Sequence, residues 1–190
     1  MSLPVICYRV ATGADAGQMA AVQIAAWRDS FAGFVPQQLL LALDHPLLAM
    51  ALQSQLIGDD GQVIYFIASY QGRIIGWCHG SRAGYSDHPN SAEINTLVVD
   101  PDFQDQGIGT ALFLRSVDCL CDLGFDGLVV KTWTENRAAM SMFGKLGATI
   151  YDHPLPVGHA PNLQCRHYIW ANIDQLFDRL DSLVANAAGQ

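Results

Sequence analysis

The stretch from Glu93 to Gly109 constrains this chain more than any other. Read in order, it is a strand, a short loop with two glycines, and the start of a helix. Ile94, Leu97, Val98 and Val99 supply the strand, and Pro101 stops it. Gln104, Gly107 and Gly109 follow at Gln-x-x-Gly-x-Gly spacing, where a helical pattern begins. Such a junction suits an anion. The first N–H groups of a helix have no partner inside it, and the helix dipole places partial positive charge there. Glycine lacks the Cβ that would keep a phosphate away from the main chain. The segment therefore reads as a place where main-chain amides hold a phosphate-bearing ligand.

Composition narrows the field. A chain of 190 residues, 51% apolar, suits one globular domain with a substantial core. Its most apolar region, Leu39 to Leu52, is broken by Asp44, His45 and Pro46, which argues against a membrane span. No basic segment followed by an apolar core and a cleavage site opens the chain, so a cytoplasmic setting is expected. Cys7, Cys78, Cys119, Cys121 and Cys165 are odd in number and contain no Cys-x-x-Cys. Reduced thiols are the expectation, and no metal is expected. His45, His79, His88, His153, His159 and His167 show no metal-ligand spacing either. The formal net charge of -8 disfavours nucleic acid, which asks for clustered Lys and Arg. It would steer a cationic substrate such as an amine.

Along the chain, Ile6 to Val10 reads as a strand, and Thr12-x-x-Asp15 as a capping box opening a helix to about Trp27. Pro36 and Pro46 begin two further helical stretches. Val63 to Tyr70 and Arg73 to Gly80 form a hairpin around Gln71-Gly72, and Ser81 to Ser91 is a loop. The helix from Gly107 to Leu123 carries a polar stripe of Arg115, Asp118 and Asp122, and Gly124 ends it. A second strand–helix unit follows, Leu128 to Trp133 and then Asn136 to Leu146, closed by Gly147. Thr149 to Asp152 and Cys165 to Trp170 are the last strands, separated by a proline-bearing loop from His153 to Leu163. Asn172-x-x-Gln175 caps a terminal amphipathic helix with Ile173, Leu176, Phe177, Leu180 and Val184 on one face.

A P-loop is disfavoured because no Gly-Lys-Ser/Thr closes the motif. A dinucleotide fingerprint is disfavoured because Leu112 takes the place of its last glycine. The order Val-Val-Asp-Pro, Gln104-x-x-Gly107-x-Gly109, Asn136-x-x-Ala139 and Phe143-x-Lys145-x-Gly147 resembles the GNAT family of acetyl-CoA-dependent N-acetyltransferases, with matching pieces from about Ala92 to Ala148. The resemblance implies an α/β fold with a mixed, splayed central sheet flanked by helices. It implies a single domain over residues 1–171, with a C-terminal helix over 172–190 packed on it or on a partner, where a homodimer surface would lie.

What the resemblance implies for function is transfer of an acetyl group from acetyl-CoA to a primary amine, small molecule or protein, by direct attack. The diphosphate would rest on the amides of Gln104, Asp105, Gln106, Gly107, Ile108, Gly109 and Thr110. The pantetheine arm would pair with the strand edge at Leu97, Val98 and Val99. Asn136 and Phe143 would touch the same arm, and a backbone N–H near Val98 or Val99 would stabilise the thioester oxygen. Deprotonating a lysine-like amine at pH 7 costs about 4–5 kcal/mol, so a base is useful. Glu93, eleven residues before Gln104, is the candidate. Phe143 stands where the family commonly has a proton-donating tyrosine, which leaves Cys165, His167 and Tyr168 as substitutes. That replacement also supports an alternative, a non-catalytic acyl-CoA-binding regulatory module. A third reading is an interaction protein whose glycine loop is purely structural. Trp77 and His79 on one strand face, and Trp27, Phe31 and Phe34, are candidates for the acceptor side or for simple packing.

Overall fold

The structure, a computed structural model, describes residues 5–58, 61–84, 88–151 and 165–188, with side chains to 182. In chain order its elements are β1 (Cys7–Val10), α1 (Ala16–Ser30), α2 (Gln37–Leu41), α3 (His45–Ile57), β2 (Val63–Tyr70), β3 (Arg73–Arg82) and β4 (Ser91–Val99). Then come α4 (Ile108–Asp122), β5 (Gly127–Trp133), α5 (Arg137–Lys145), β6 (Thr149–Tyr151), β7 (Cys165–Trp170) and α6 (Asp174–Ala188). The strands form one seven-stranded sheet in the order β1-β2-β3-β4-β5-β7-β6. β4 and β5 pair in parallel, whereas β1–β2, β2–β3, β5–β7 and β6–β7 are antiparallel. The sheet is therefore mixed, open and helix-flanked, as the family resemblance implies. The parallel ladder runs from Ser91↔Gly127 to Ile94↔Val130, and Lys131 to Trp133 keep their partners on β7. The predicted end of β6 at Asp152 and the loop from His153 to Leu163 lie outside the described residues.

The chain divides into two compact units, residues 1–81 with 95–119, and residues 82–94 with 120–190. In the first, β2 and β3 turn on Gln71 (φ 50°) and Gly72 (φ 79°), the two positive values that a tight two-residue hairpin needs. Met19, Ala20 and Val22 of α1 bury against Tyr65, Ile67, Ile74 and Trp77, and the Trp77 indole donates to the Met19 carbonyl at 3.0 Å. The expected capping box at Thr12 is present: Asp15 accepts from the Thr12 N–H at 2.7 Å. It closes a 3-10 turn over residues 13–15, and α1 follows at Ala16. The Arg9 guanidinium also grips both oxygens of that carboxylate, at 2.7 and 2.8 Å. β3 approaches its neighbours closely at Gly76, where a Cβ would stand 3.0 Å from both Leu112 Cδ1 and the Val98 carbonyl oxygen. That glycine lets α4 settle onto the sheet and so positions the turn that precedes it.

In the second unit, Asn136 caps α5 by accepting from the Ala139 N–H at 3.1 Å. Phe143 packs its ring on Tyr168 and Trp170, at centroid distances of 5.7 and 6.1 Å, and the Trp170 indole donates to the Leu146 carbonyl. Asn172 accepts from the Asp174 N–H at 2.8 Å, and Ile173 and Leu176 are fully buried.

Candidate active site

The glycine loop lies wholly in the first unit. Asp100 ends β4: its N–H donates to the Ile75 carbonyl, and its carboxylate accepts from the Asp102 N–H and from Arg73. Buried to 5% exposure, Asp100 fixes the chain's exit from the sheet. The next turn reverses at Asp105 (φ 57°) and Gly107 (φ 78°), and α4 begins at Ile108, with the Ala111 N–H reaching the Gly107 carbonyl. Gln104 donates to the Val99 carbonyl at 3.1 Å, Gln106 to the Asp102 carbonyl at 3.5 Å, and Ile108 is buried, while Asp105 and Gln106 are exposed.

The two glycines of the loop differ in kind. Gly107 is required by its positive φ, the region that L-residues avoid. Gly109 has no such φ, and a Cβ there would meet nothing closer than Val99 Cγ2 at 3.6 Å, an ordinary contact. Glycine in a helix is costly compared with alanine. Neither a left-handed backbone angle nor a close contact accounts for Gly109.

Glu93 lies in the second unit, in the part of β4 that pairs with β5. It is 7% exposed, and its Oε1 is 2.7 Å from Lys131 Nζ. The register explains the pair. Glu93 stands opposite Val129, and Lys131, two residues on, shares that face. Across the antiparallel ladder, His167 is opposite Lys131 and Cys165 opposite Trp133, so both share the face of Glu93. Burial pushes the Cys165 thiol up, with the Lys131 charge opposing it, so this cysteine stays protonated. Of the three proton donors considered from the sequence, His167 and Cys165 are on the Glu93 face. Tyr168 is on the opposite one, against Phe143.

Sequence reasoning did not anticipate Lys131 beside Glu93 or Arg73 beside Asp100. A single lysine following Leu128, Val129 and Val130 was the available signal, since a charge in a buried strand requires a partner. The acceptor-side candidates have internal roles. Trp27, Phe31 and Phe34 form a ring cluster at 5.7 and 5.4 Å, and His79 stacks on Tyr65 at 4.4 Å. None of the five cysteines forms a disulfide.

Residues 25–148 match the family model described as the acetyltransferase (GNAT) family. The chain belongs to that family. A mycothiol acetyltransferase from Thermobifida fusca is 32% identical over 94 residues, covering 47% of this chain and 29% of the relative. This GNAT chain thus matches less than a third of the length of that relative. Among solved structures, the PaiA N-acetyltransferase from Thermoplasma acidophilum, in complex with coenzyme A, superposes with a TM-score of 0.69 at 15% identity. That match covers 87% of this chain and 99% of the other. YncA from Salmonella typhimurium, solved with its cofactor acetyl-CoA, gives 0.67 at 16%, over 87% and 93%. At such identities the likeness is one of fold. No helix among the described residues is long and apolar enough to cross a membrane.

Proposed function

We propose that this GNAT chain transfers an acetyl group from acetyl-CoA to a primary amine by direct attack of the amine on the thioester. The observation that carries this is the turn at residues 104–110. It leads into the N-terminus of α4 and includes a glycine, Gly109, that neither its backbone angle nor a close contact requires. Under this reading the amides of residues 104–110 hold the diphosphate and the main chain of Leu97, Val98 and Val99 meets the pantetheine arm. Asn136 and Phe143 are proposed as further contacts of that arm. Glu93 removes the acceptor's proton, and His167 or Cys165 serves the departing thiolate.

The acceptor is proposed to be a cationic amine, in keeping with the net charge of -8. The setting is proposed to be cytoplasmic, with one catalytic domain over residues 1–171 followed by the terminal helix, and a homodimer is part of the same proposal. The test is a thermal shift with acetyl-CoA and with CoA, followed by thiol release across diverse amines. Acceptors related to mycothiol belong among them, given the names of the similar chains. Stabilisation by CoA with release on at least one amine is expected. No shift with either coenzyme would refute the proposal, and a shift without turnover would return the binding-module alternative.

A further inference from the structure

The chain contains two lysines, Lys131 and Lys145. Lys145 is exposed at the end of α5, where it serves as an ordinary surface amine. Lys131 Nζ is 2.7 Å from Glu93 Oε1, the carboxylate to which the proposed function gives the acceptor's proton. An acceptor nitrogen must satisfy two conditions together: its proton must lie within hydrogen-bond reach of the base, and its lone pair must reach the thioester carbon. Of the two lysines, Lys131 Nζ already meets the first condition. The register adds to this. Lys131 is the first β5 residue past the last parallel pair, Ile94↔Val130. Its side chain is 40% exposed, while the carboxylate beside it is almost fully enclosed at 9%.

We propose that Lys131 is a self-acetylation site: the protein transfers an acetyl group from acetyl-CoA to its own Lys131 Nζ. Self-acetylation presupposes the acetyl-transfer reading above, with Glu93 as base. In the step, Glu93 takes one proton from the Lys131 ammonium and passes it to solvent. The freed lone pair adds to the thioester carbonyl carbon, the N–C bond forms and the C–S bond breaks. The sulfur leaves with the bonding electrons and takes up the second nitrogen proton, giving CoA thiol and a neutral amide. The product carries no charge at Nζ, so the ion pair to Glu93 ends and the carboxylate is released to an incoming amine. A tertiary nitrogen never forms, so the modification stops at one acetyl group.

The experiment incubates the full chain with acetyl-CoA and follows intact mass and peptide maps over time. Lys145 reports chemical acetylation by the thioester alone. The expected result is one acetyl group, at Lys131, formed about 10²-fold faster than at Lys145, the lower end of what a positioned base contributes. The initial rate per molecule is independent of protein concentration. Lys131→Arg keeps a cation beside Glu93 and removes the label. Glu93→Gln lowers Lys131 labelling toward the Lys145 rate and leaves Lys145 unchanged. Equal labelling of both lysines, or label at Lys145 alone, overturns the proposal. Turnover on an external amine with Lys131 unmodified overturns self-acetylation and leaves the proposed function standing. Absence of any coenzyme binding, seen by thermal shift on the same sample, overturns both.

Discussion

Gly109→Ala separates a ligand-binding glycine from a structural one. In the unliganded protein the new methyl meets Val99 Cγ2 at 3.6 Å and nothing closer, and position 109 does not have a left-handed φ. Alanine also restricts the unfolded chain and favours the helix. The free protein should therefore gain about 0.4–1 kcal/mol. For a chain of this size that raises Tm by roughly 1–4 °C. The same methyl stands where the proposed diphosphate must approach the amides of the first turn of α4. Losing one charge-assisted hydrogen bond there costs about 1.5–3 kcal/mol, or roughly 10- to 150-fold in Kd for CoA. Calorimetric titration with CoA and thermal unfolding of the free protein, run on one preparation, measure both numbers. Opposite signs are the signature: a more stable protein that binds worse. Native-like CoA affinity in Gly109→Ala would refute the view that ligand approach explains this glycine. So would a clear loss of stability in the free variant.

Other substitutions test neighbouring steps. Gly107→Ala forces a Cβ onto φ 78° and should cost about 1–2 kcal/mol in urea unfolding of the free protein, unlike its neighbour two residues on. Gly76→Ala puts a methyl 3.0 Å from the Val98 carbonyl and Leu112, and should cost about 1–3 kcal/mol by the same measurement. Arg9 holds the Asp15 carboxyl down at about 2, from 3.8. A lowered folded value means the stabilisation is complete above the unfolded value and lost as pH falls from about 4 through about 2. With Arg9 half exposed, it amounts to about 1–2 kcal/mol, and Asp15→Asn should flatten that part of the stability–pH curve. Glu93→Gln should slow amine acetylation about 10²-fold near neutral pH, with the deficit shrinking as pH rises and the acceptor deprotonates itself. A parallel, unchanged pH–rate profile would remove Glu93 as the base.

What could be read from the chain follows the range of each interaction. The loop from Asp100 to Gly109 is local: proline, two glycines and a helix start carry their conformations with them, and the structure places the turn and α4 within a residue of expectation. The polar stripe of Arg115, Asp118 and Asp122 is local in the same sense, set by a period of 3.6, and all three are exposed. The capping box at Thr12 is local too, and the structure forms it, whereas the grip of Arg9 on the same carboxylate comes from β1 and was not legible in the motif. The ion pair of Glu93 with Lys131 is more remote still. It depends on β4 and β5 lying side by side and on a register of Glu93 against Val129, one of several that the apolar runs would allow. A slip of one residue would have put Lys131 on the face that Val130 and Thr132 now occupy, and Glu93 would then be a buried charge without a cation on its strand neighbour. The lysine is thus the residue that makes Glu93 tolerable in the sheet, and for the same reason it is the amine held closest to the carboxylate.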